Sequence, residues 1–500
     1  MTQLPAQPVV HEVNTRVWLR EIGLRTGGGP AGLADVPKDV WDEITPAGID
    51  AVWLMGVWER SPRGRAIALE NPALRGAFAQ AVPDIGEEDI AGSPYCIRRY
   101  EVDAALGGAE GLAAARAELD RRGVGLLLDY VPNHVAPDSP WVTEHPEYFV
   151  QGDAEDAMRD PAGFLDTGRA VLARGRDPFF PPWPDVVQLN AFAPALRRAT
   201  AEVLGGIGRV CDGVRCDMAM LLMNDVFART WGERAGSPPQ EEFWPEVVTA
   251  VRRHHPHMVF AAEAYWDLEW ALQEQGFDFC YDKRLYDRVL SESADSVRAH
   301  LRADEHYQRR LVRFLENHDE PRAARTMHPA KERAAAVLIA TLPGATLWHE
   351  GQFTGRRVHL PVFLDRRPDE PPDPSLRAFH ERLLSAVHRS AMRTGRWQLL
   401  ESDGWPDNDS GRALIASCWS GEAGRFLTVV NLSEHRAQAR VRLPWGELTE
   451  GSWELCGLLD AERYERPGTE LVADGLYVDL PPWGTHLLSV VEAGASRTSP

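Results

Sequence analysis

Short apolar runs alternate with longer amphipathic segments from residue 13 to about residue 350. The apolar runs have the length of buried strands, and segments such as GLAAARAELDRR carry alanine and leucine at helical spacing. Helices and strands in this order predict βαβ units and a parallel sheet, which this many repeats would close into a (β/α)8 TIM barrel. We take TRVWL (15–19) as the first strand, GIDAVWLMGVWE (48–59) as the second and GVGLLLDYVPNH (123–134) as the third.

Two parts of the chain depart from this pattern. The stretch after Asn133 and His134 is rich in proline, aspartate and tryptophan, and it is too long for an ordinary βα loop. Beyond residue 400, apolar residues alternate with period two between Gly, Pro and Asn turns, which favours a β-sandwich. We therefore predict an α/β protein with these parts: a barrel over 1–134 and 191–398, an inserted subdomain after strand 3 over 135–190, a C-terminal all-β domain over 399–491, and a disordered tail over 492–500.

The charge and the apolar content exclude some classes of partner. A net charge of −20 argues against nucleic acid and against an anionic membrane surface. No segment approaches the ~20 apolar residues of a membrane span, and the first residues lack the features of a signal peptide. The six cysteines show no zinc-like spacing. We expect a cytoplasmic protein with reduced cysteines, and the patterns carry no indication of its oligomeric state.

Charged residues gather where the predicted strands end. In CDGVRCDMAM, Arg215 and Asp217 share one strand face, although a buried ion pair is rarely a gain in stability. The runs LLLDYVPNH, VFAAE and FLENHDEPR end in polar clusters in the same way. A single acid at such a position is more often a helix cap or a turn residue. Four clusters in chain order at the end where barrel loops converge point instead to an active site.

These four segments resemble the short signature regions of the α-amylase family, a clan of retaining barrel enzymes that act on α-glucosidic bonds. DYVPNH is similar to the first region, GVRCDMA to the second, AAEAYW to the third and FLENHDEPR to the fourth. WPDVVQLN (183–190) and GSPYCIRRYEVDAALGG are similar to two further stretches of that family. The resemblance covers about residues 13–350 and implies a TIM barrel with an inserted subdomain and a C-terminal β domain.

The resemblance also implies roles for individual residues. Asp217 would be the nucleophile that forms a covalent glycosyl intermediate, Glu263 the general acid/base and Asp319 the third carboxylate, which binds sugar hydroxyls. Retaining cleavage needs such a pair of carboxyl groups, and a neighbouring arginine would keep the nucleophile ionised. The residues implied in substrate binding are Tyr95, His134, Arg215 and His318.

Several features limit this interpretation. Met220 and Leu221 stand where many amylases have a Lys-His pair, which favours small α-glucosides or oligosaccharides over polymers as substrates. Hydrolysis and glycosyl transfer remain equally open, and three loop arginines leave phosphorolysis open: Arg322, Arg356 and Arg357. The alternative function is a catalytically inactive barrel that binds carbohydrate or a protein partner.

No cofactor is required for this chemistry. Many members of the family bind calcium between the first region and the inserted domain, and Asn133 and Asp185 are the matching oxygen donors here. Two oxygen donors do not make a metal site. Asn133 is also explained as a residue that braces its loop, so we expect no metal ligands.

Overall fold

A closed barrel of eight parallel strands forms the centre of the protein. The computed structural model describes residues 2–29 and 31–494. Each strand pairs with its neighbours in the sequence, and the last strand pairs with the first. The strands are β1 (Val9–Asn14), β2 (Ala51–Met55), β3 (Gly125–Tyr130), β4 (Gly213–Cys216), β5 (Val259–Ala262), β6 (Phe279–Tyr281), β7 (Leu311–Arg313) and β8 (Ala345–His349).

Helices cover the outside of the barrel and fill the connections between its strands. In the described residues, the barrel helices are Thr15–Thr26, Lys38–Ile44, Pro62–Glu70, Pro72–Ala81, Gly108–Arg121, Pro194–Ile207, Asn224–Trp231, Phe243–Arg252, Glu269–Glu274, Lys283–Ser291, Ala294–Leu301, Glu305–Arg309, Ala323–Thr326, Pro329–Thr341 and Pro374–Ser390. None of the helices in the described ranges has both the length and the apolar character needed to cross a membrane.

The strand predicted at 15–19 is wrong, because TRVWL lies in the helix Thr15–Thr26. The first strand is the preceding segment VVHEVN, and the side chain of Asn14 at its end accepts a hydrogen bond from Val17 N–H and so caps the helix. Val17, Trp18 and Ile22 are buried on one face of that helix, as helical spacing allows.

Two excursions rise from the carboxyl ends of the strands. The predicted insertion contains a two-stranded and a three-stranded sheet around a small apolar core. Its elements are His134–Val135, Trp141–Glu144, Gln151–Gly152, Ala154–Arg159, Phe164–Asp166, Val171–Ala173 and Val187–Gln188. A second excursion, which the sequence did not predict, follows β2 and pairs Trp58–Arg60 with Ile97–Val102.

Two antiparallel sheets form the C-terminal region. The larger sheet contains, in spatial order, Arg396–Leu400, Leu414–Gly421, Gly424–Asn431, Thr485–Glu492, Ser452–Gly457 and Arg463–Pro467. The smaller contains Ser402–Asp403, Ala437–Val441 and Leu476–Leu480, and the helix Gly468–Ala473 lies beside them in the chain. Trp419 Nε1 donates a hydrogen bond of 2.7 Å to Thr341 O and ties the larger sheet to a barrel helix. Of the predicted tail, residues 495–500 lie outside the described residues.

Candidate active site

The parallel register brings Asp217 and Glu263 to the same level of the barrel. Cys216 at the end of β4 is paired with Ala262 at the end of β5, and each carboxylate residue comes directly after its strand. Glu263 N–H donates to Cys216 O at 3.0 Å, so the ladder continues to this point. Because neighbouring strands lie about 4.8 Å apart, the two side chains start from adjacent positions.

Arg215 connects the two carboxylates. Its Nη1 donates a hydrogen bond of 2.5 Å to Asp217 Oδ1, and its Nη2 lies 2.7 Å from Glu263 Oε2 as an ion pair. The guanidinium is 1% exposed and lies over the aromatic rings of Trp53, Tyr95 and Tyr281 at 5.3–5.7 Å. Two carboxylates and three ring faces therefore compensate this buried charge. The two contacts of Arg215 in turn hold the carboxylates of Asp217 and Glu263 in place.

The carboxyl group of Glu263 is suited to hold a proton near neutral pH. Burial raises the pKa of Glu263 to about 7. The negative charges of Asp217 and Asp319 also raise this pKa, whereas the positive charge of Arg215 lowers it. Met218 N–H donates to Glu263 Oε2 at 2.7 Å, and the Tyr265 hydroxyl donates to Oε1 at 2.8 Å. A general acid needs this combination of a raised pKa and a fixed orientation.

The backbone around these two carboxylates is strained. Met218, Trp266 and Asp267 have φ values of 43°, 65° and 61°, in the left-handed region that side-chain-bearing residues rarely adopt. Each such residue costs about 1–3 kcal/mol, and such residues gather at functional sites. The strain at Met218 orients its N–H toward Glu263, and the side chain of Asp267 is held by Arg284 at 2.5 Å.

Asp319 faces the open cleft and remains ionised. Its side chain is 43% exposed, and its Oδ2 lies 2.9 Å from His318 Nε2 and 4.0 Å from Arg215 Nη2. Partial desolvation would raise the pKa of Asp319, but His318 and Arg215 outweigh it and lower that pKa to about 2. Burial alone would lower the pKa of His318, but Asp319 and Glu12 raise it well above its usual range. His318 is therefore an imidazolium between two carboxylates.

The other residues implied in substrate binding surround the same cleft. The Tyr95 hydroxyl lies 2.8 Å from His318 Nε2, and the two rings stack at 5.4 Å. His134 is 6% exposed with Trp183 packed edge-on at 5.3 Å, and burial lowers the pKa of His134, so its ring is neutral. All seven residues singled out in the sequence therefore lie at the carboxyl end of the barrel or on the loops above it.

Comparisons with known proteins bear on the chain and its fold as a whole. No protein-family model matches the chain. A curated relative, the α-amylase MalA of Haloarcula japonica, is 25% identical over 392 residues, which are 74% of this chain and 48% of that protein. The chain thus spans about half the length of this relative.

Solved structures share the fold over almost the whole chain. A noncanonic maltogenic α-amylase AmyB from Thermotoga neapolitana has a TM-score of 0.70 at 19% identity and covers 98% of this chain and 100% of its own. An α-amylase from Geobacillus thermoleovorans, solved with acarbose, has a TM-score of 0.66 at 16% identity and covers 98% and 99%. The chain is thus similar in sequence to an α-amylase, and it shares the fold of solved α-amylase structures. Its C-terminal β domain and its (β/α)8 barrel have the arrangement that the four segments implied.

Two residues that orient side chains of this site were not predicted. Glu12 on β1 bonds through its Oε1 to His318 Nδ1, and Tyr265 bonds to Glu263. Glu12 is a charged residue inside an apolar strand, which is the same signal that drew attention to Arg215. Tyr265 carries no such signal in the sequence.

Aromatic residues of the insertion extend over the cleft. Phe179 and Phe180 are 64% and 68% exposed, and the ring of Phe179 packs edge-on against Trp266 at 4.9 Å. Trp266 follows Glu263 by three residues, so this pair lies beside the acid/base candidate. Trp58 is instead a structural residue, because it is 3% exposed and donates its indole N–H to Asp129 O at 2.7 Å.

The calcium position of many α-amylases does not fit the residues present here. Asn133 Oδ1 accepts a hydrogen bond of 2.8 Å from Gln188 Nε2, so it is already engaged. Burial raises the pKa of Asp185, and its backbone oxygen accepts a hydrogen bond of 3.0 Å from Cys96 Sγ. No group of three or more His, Cys, Asp or Glu side chains in the described part of the chain could hold a metal ion.

Arg322 is engaged within the protein. Its Nη1 donates to Glu316 Oε1 at 2.7 Å and to Glu350 O at 2.7 Å, and it lies 2.8 Å from His349 Nδ1. Arg356 Nη2 lies 3.5 Å from Glu21 Oε1. Arg322 is therefore engaged by three acceptors, whereas Arg356 Nη1 is buried without a hydrogen-bond partner among the described residues.

Proposed function

We propose that the protein is a retaining enzyme that cleaves or transfers α-glucosidic bonds of small α-glucosides or oligosaccharides through a covalent glycosyl ester on Asp217. The observation that carries this proposal is the Arg215 guanidinium, which contacts Asp217 and Glu263 at the same level of adjacent strands. Retaining enzymes place their two carboxyl groups about 5–5.5 Å apart, and adjacent strand positions suit that spacing.

The proposed reaction has two steps. Glu263 in its protonated form gives its proton to the glycosidic oxygen while an Asp217 oxygen attacks the anomeric carbon, so the glycosidic bond breaks and an ester forms. Glu263 then removes a proton from water or a sugar hydroxyl, whose oxygen attacks the anomeric carbon and releases Asp217. The negatively charged Asp319 and the positively charged His318 bind hydroxyls of the same sugar.

The acceptor decides between hydrolysis and transfer. Water and a sugar hydroxyl enter the second step in the same way, and both are included in the proposal. The burial of Met220 and Leu221 in the turn after Asp217 supports a small substrate, since no charged pair reaches the leaving-group side from this turn. The cytoplasmic location inferred from the sequence stays a prediction.

A non-catalytic binding protein is the second candidate. A barrel that had lost activity would be expected to lack a member of the carboxylate set. Asp217, Glu263 and Asp319 are all present and all interact with Arg215. This supports the enzyme over the binding protein.

A panel of substrates tests the proposal. We would incubate the protein with maltose to maltoheptaose, trehalose, sucrose and aryl α-glucosides, with and without phosphate, and follow the anomeric protons by NMR. We expect an initial α-anomer or a new α-linked oligosaccharide that Asp217→Asn does not form. An initial β-anomer would overturn retention, and binding without turnover on the whole panel would favour the non-catalytic candidate.

A further inference from the structure

A cavity of about 450 Å³ lies at the amino-terminal end of the barrel, opposite the cleft that holds Asp217. It is open to solvent on one side and is lined by the starts of β1 and β8, the helix Pro374–Ser390 and the turn that follows this helix. Its size is within the range of small-molecule sites, about 300–1,000 Å³. The proposed reaction does not use it.

Arg393 is a buried cation in the wall of this cavity. It is 8% exposed and has no carboxylate within 4.0 Å in the described chain, and its Nε has no hydrogen-bond partner there. Its Nη2 donates to Gly344 O. Asp50 also lines the cavity, but it acts on Arg393 only over a longer distance, and its Oδ2 accepts from Val9 N–H at 2.8 Å. Burial of a charge without a counter-ion is costly.

Two further polar groups in the wall lack partners. Thr346 Oγ1 and Trp348 Nε1 are fully buried and make no hydrogen bond in the described residues. Thr346 and Trp348 are two residues apart on β8, so their side chains lie on the same face of the strand, which points out of the barrel toward the helix layer. Buried polar groups are normally hydrogen-bonded, so three unpartnered groups around one cavity indicate a missing partner.

The remaining wall is mostly apolar, with Ala340, Leu384 and Val387 among its residues. Ala391 at the turn has a φ of 50°, a strained value of the kind that occurs at ligand-binding positions. We propose that this cavity binds a small organic anion with an apolar body, a carboxylate or a phosphate ester, whose charged group pairs with the Arg393 guanidinium and accepts hydrogen bonds from Thr346 and Trp348.

Isothermal titration calorimetry with benzoate and phenyl phosphate tests this assignment. Both probes carry an anion on an apolar ring; benzyl alcohol is the neutral control, and inorganic phosphate lacks the apolar part. We expect one or both anionic ring compounds to bind at least tenfold more tightly than either control. The tighter of the two probes identifies the anion as a carboxylate or a phosphate ester. No heat from either anionic ring compound, or equal affinity for benzyl alcohol, would overturn the proposal.

Variants locate the binding. Arg393→Gln removes the cation. Val387→Phe fills the cavity and keeps Arg393. If Arg393→Gln does not fold, Val387→Phe still tests the proposal. Each should weaken the anionic probe at least tenfold, about 1.4 kcal/mol. Asp217→Asn, at the other end of the barrel, should bind it as tightly as the native protein. Unchanged affinity in Val387→Phe, or loss in Asp217→Asn, would place the anion elsewhere and refute the assignment.

Discussion

Arg215 is stabilised in the barrel by the same two carboxylates that the proposed reaction uses. Each carboxylate can therefore be altered separately while the other still compensates the guanidinium. Asp217→Asn keeps the size of the side chain and leaves Glu263 paired with Arg215. We expect turnover to fall by roughly 10⁴-fold or more, as for other nucleophile deletions, with a melting temperature close to that of the native protein. Steady-state kinetics and calorimetry measure both, and normal turnover would refute the nucleophile assignment.

Tyr265 adjusts the proton affinity of Glu263. Its hydroxyl donates to Glu263 Oε1, and a hydrogen bond to the ionised form lowers a carboxyl pKa. In Tyr265→Phe the pKa of Glu263 should rise above about 7, so the alkaline limb of the kcat/KM profile should move up by roughly half a unit to one unit. A pH series of kcat/KM measures the shift.

The matched control for this prediction is Tyr148→Phe, in the 3₁₀ turn of the insertion, where the ring stacks on His145. It should leave the profile unchanged. An alkaline limb that stays in place in Tyr265→Phe would mean that the hydroxyl only packs in the cleft wall.

Sequence reasoning was effective for residues whose chemistry conflicts with their position. Arg215 and Asp217 are charged residues at a buried strand end, and the motif around them is specific. Tyr265 was missed because its role depends on where the hydroxyl points, and that direction follows from the turn at Trp266 and Asp267, with its positive φ values. A backbone conformation of this kind leaves no trace in the order of residues.

At the scale of elements, the first barrel strand, β1, was not predicted because it contains polar residues, among them Glu12 of the site. The strand β1 reads VVHEVN, and its buried His11, Glu12 and Asn14 interrupt the apolar pattern, so the apolar residues of the next helix were taken as the strand. The strand β6 was missed because its three residues lie between Asp278 and Asp282, whereas the apolar run of the equally short β7 continues through Phe314 and Leu315. The remaining barrel strands lie in runs long enough to be predicted.

Phe179 and Phe180 of the insertion form an exposed aromatic arm, and we expect that folding does not require their side chains. Because Phe179 and Phe180 are mostly exposed, replacing both by alanine should not change the melting temperature. Loss of the stacking surface should raise KM for maltotriose and longer substrates by roughly 2–13-fold, with kcat little changed, since an aromatic contact contributes about 0.5–1.5 kcal/mol. Kinetics on oligosaccharides and on a short aryl glucoside separate the two constants.

Met158→Ala is the matched control for this change. Met158 is 77% exposed on the helix Ala154–Arg159 of the same insertion, and it should leave KM unchanged. An equal KM for native protein and double variant on every substrate would show that the arm does not touch the sugar.

At the scale of the whole molecule, Glu263 makes stability depend on pH. Its pKa is about 7 in the folded state and about 4.3 when unfolded, so the folded protein binds this proton more tightly. The contribution of Glu263 to the free energy of unfolding is therefore complete below about pH 4.3 and decreases as the pH rises through 7. Glu263→Gln removes this dependence.

The melting temperature of Glu263→Gln, relative to the native protein, should consequently increase between pH 5 and pH 8. Thermal unfolding of both proteins across this range measures the difference. A difference that stays constant with pH would mean that burial does not hold the proton on Glu263.

The contact between Glu12 and His318 ties the start of the barrel to its seventh strand. On a ribosome, Glu12 is synthesised roughly 15–60 s before His318, at about 5–20 residues per second. Until then its carboxylate has no imidazolium to pair with, and Asp319 does not yet exist. A nascent or prematurely terminated chain that ends before residue 318 therefore lacks part of the set of residues proposed to bind the sugar. Activity in a cell would report finished barrels only, whatever the fraction of partial chains.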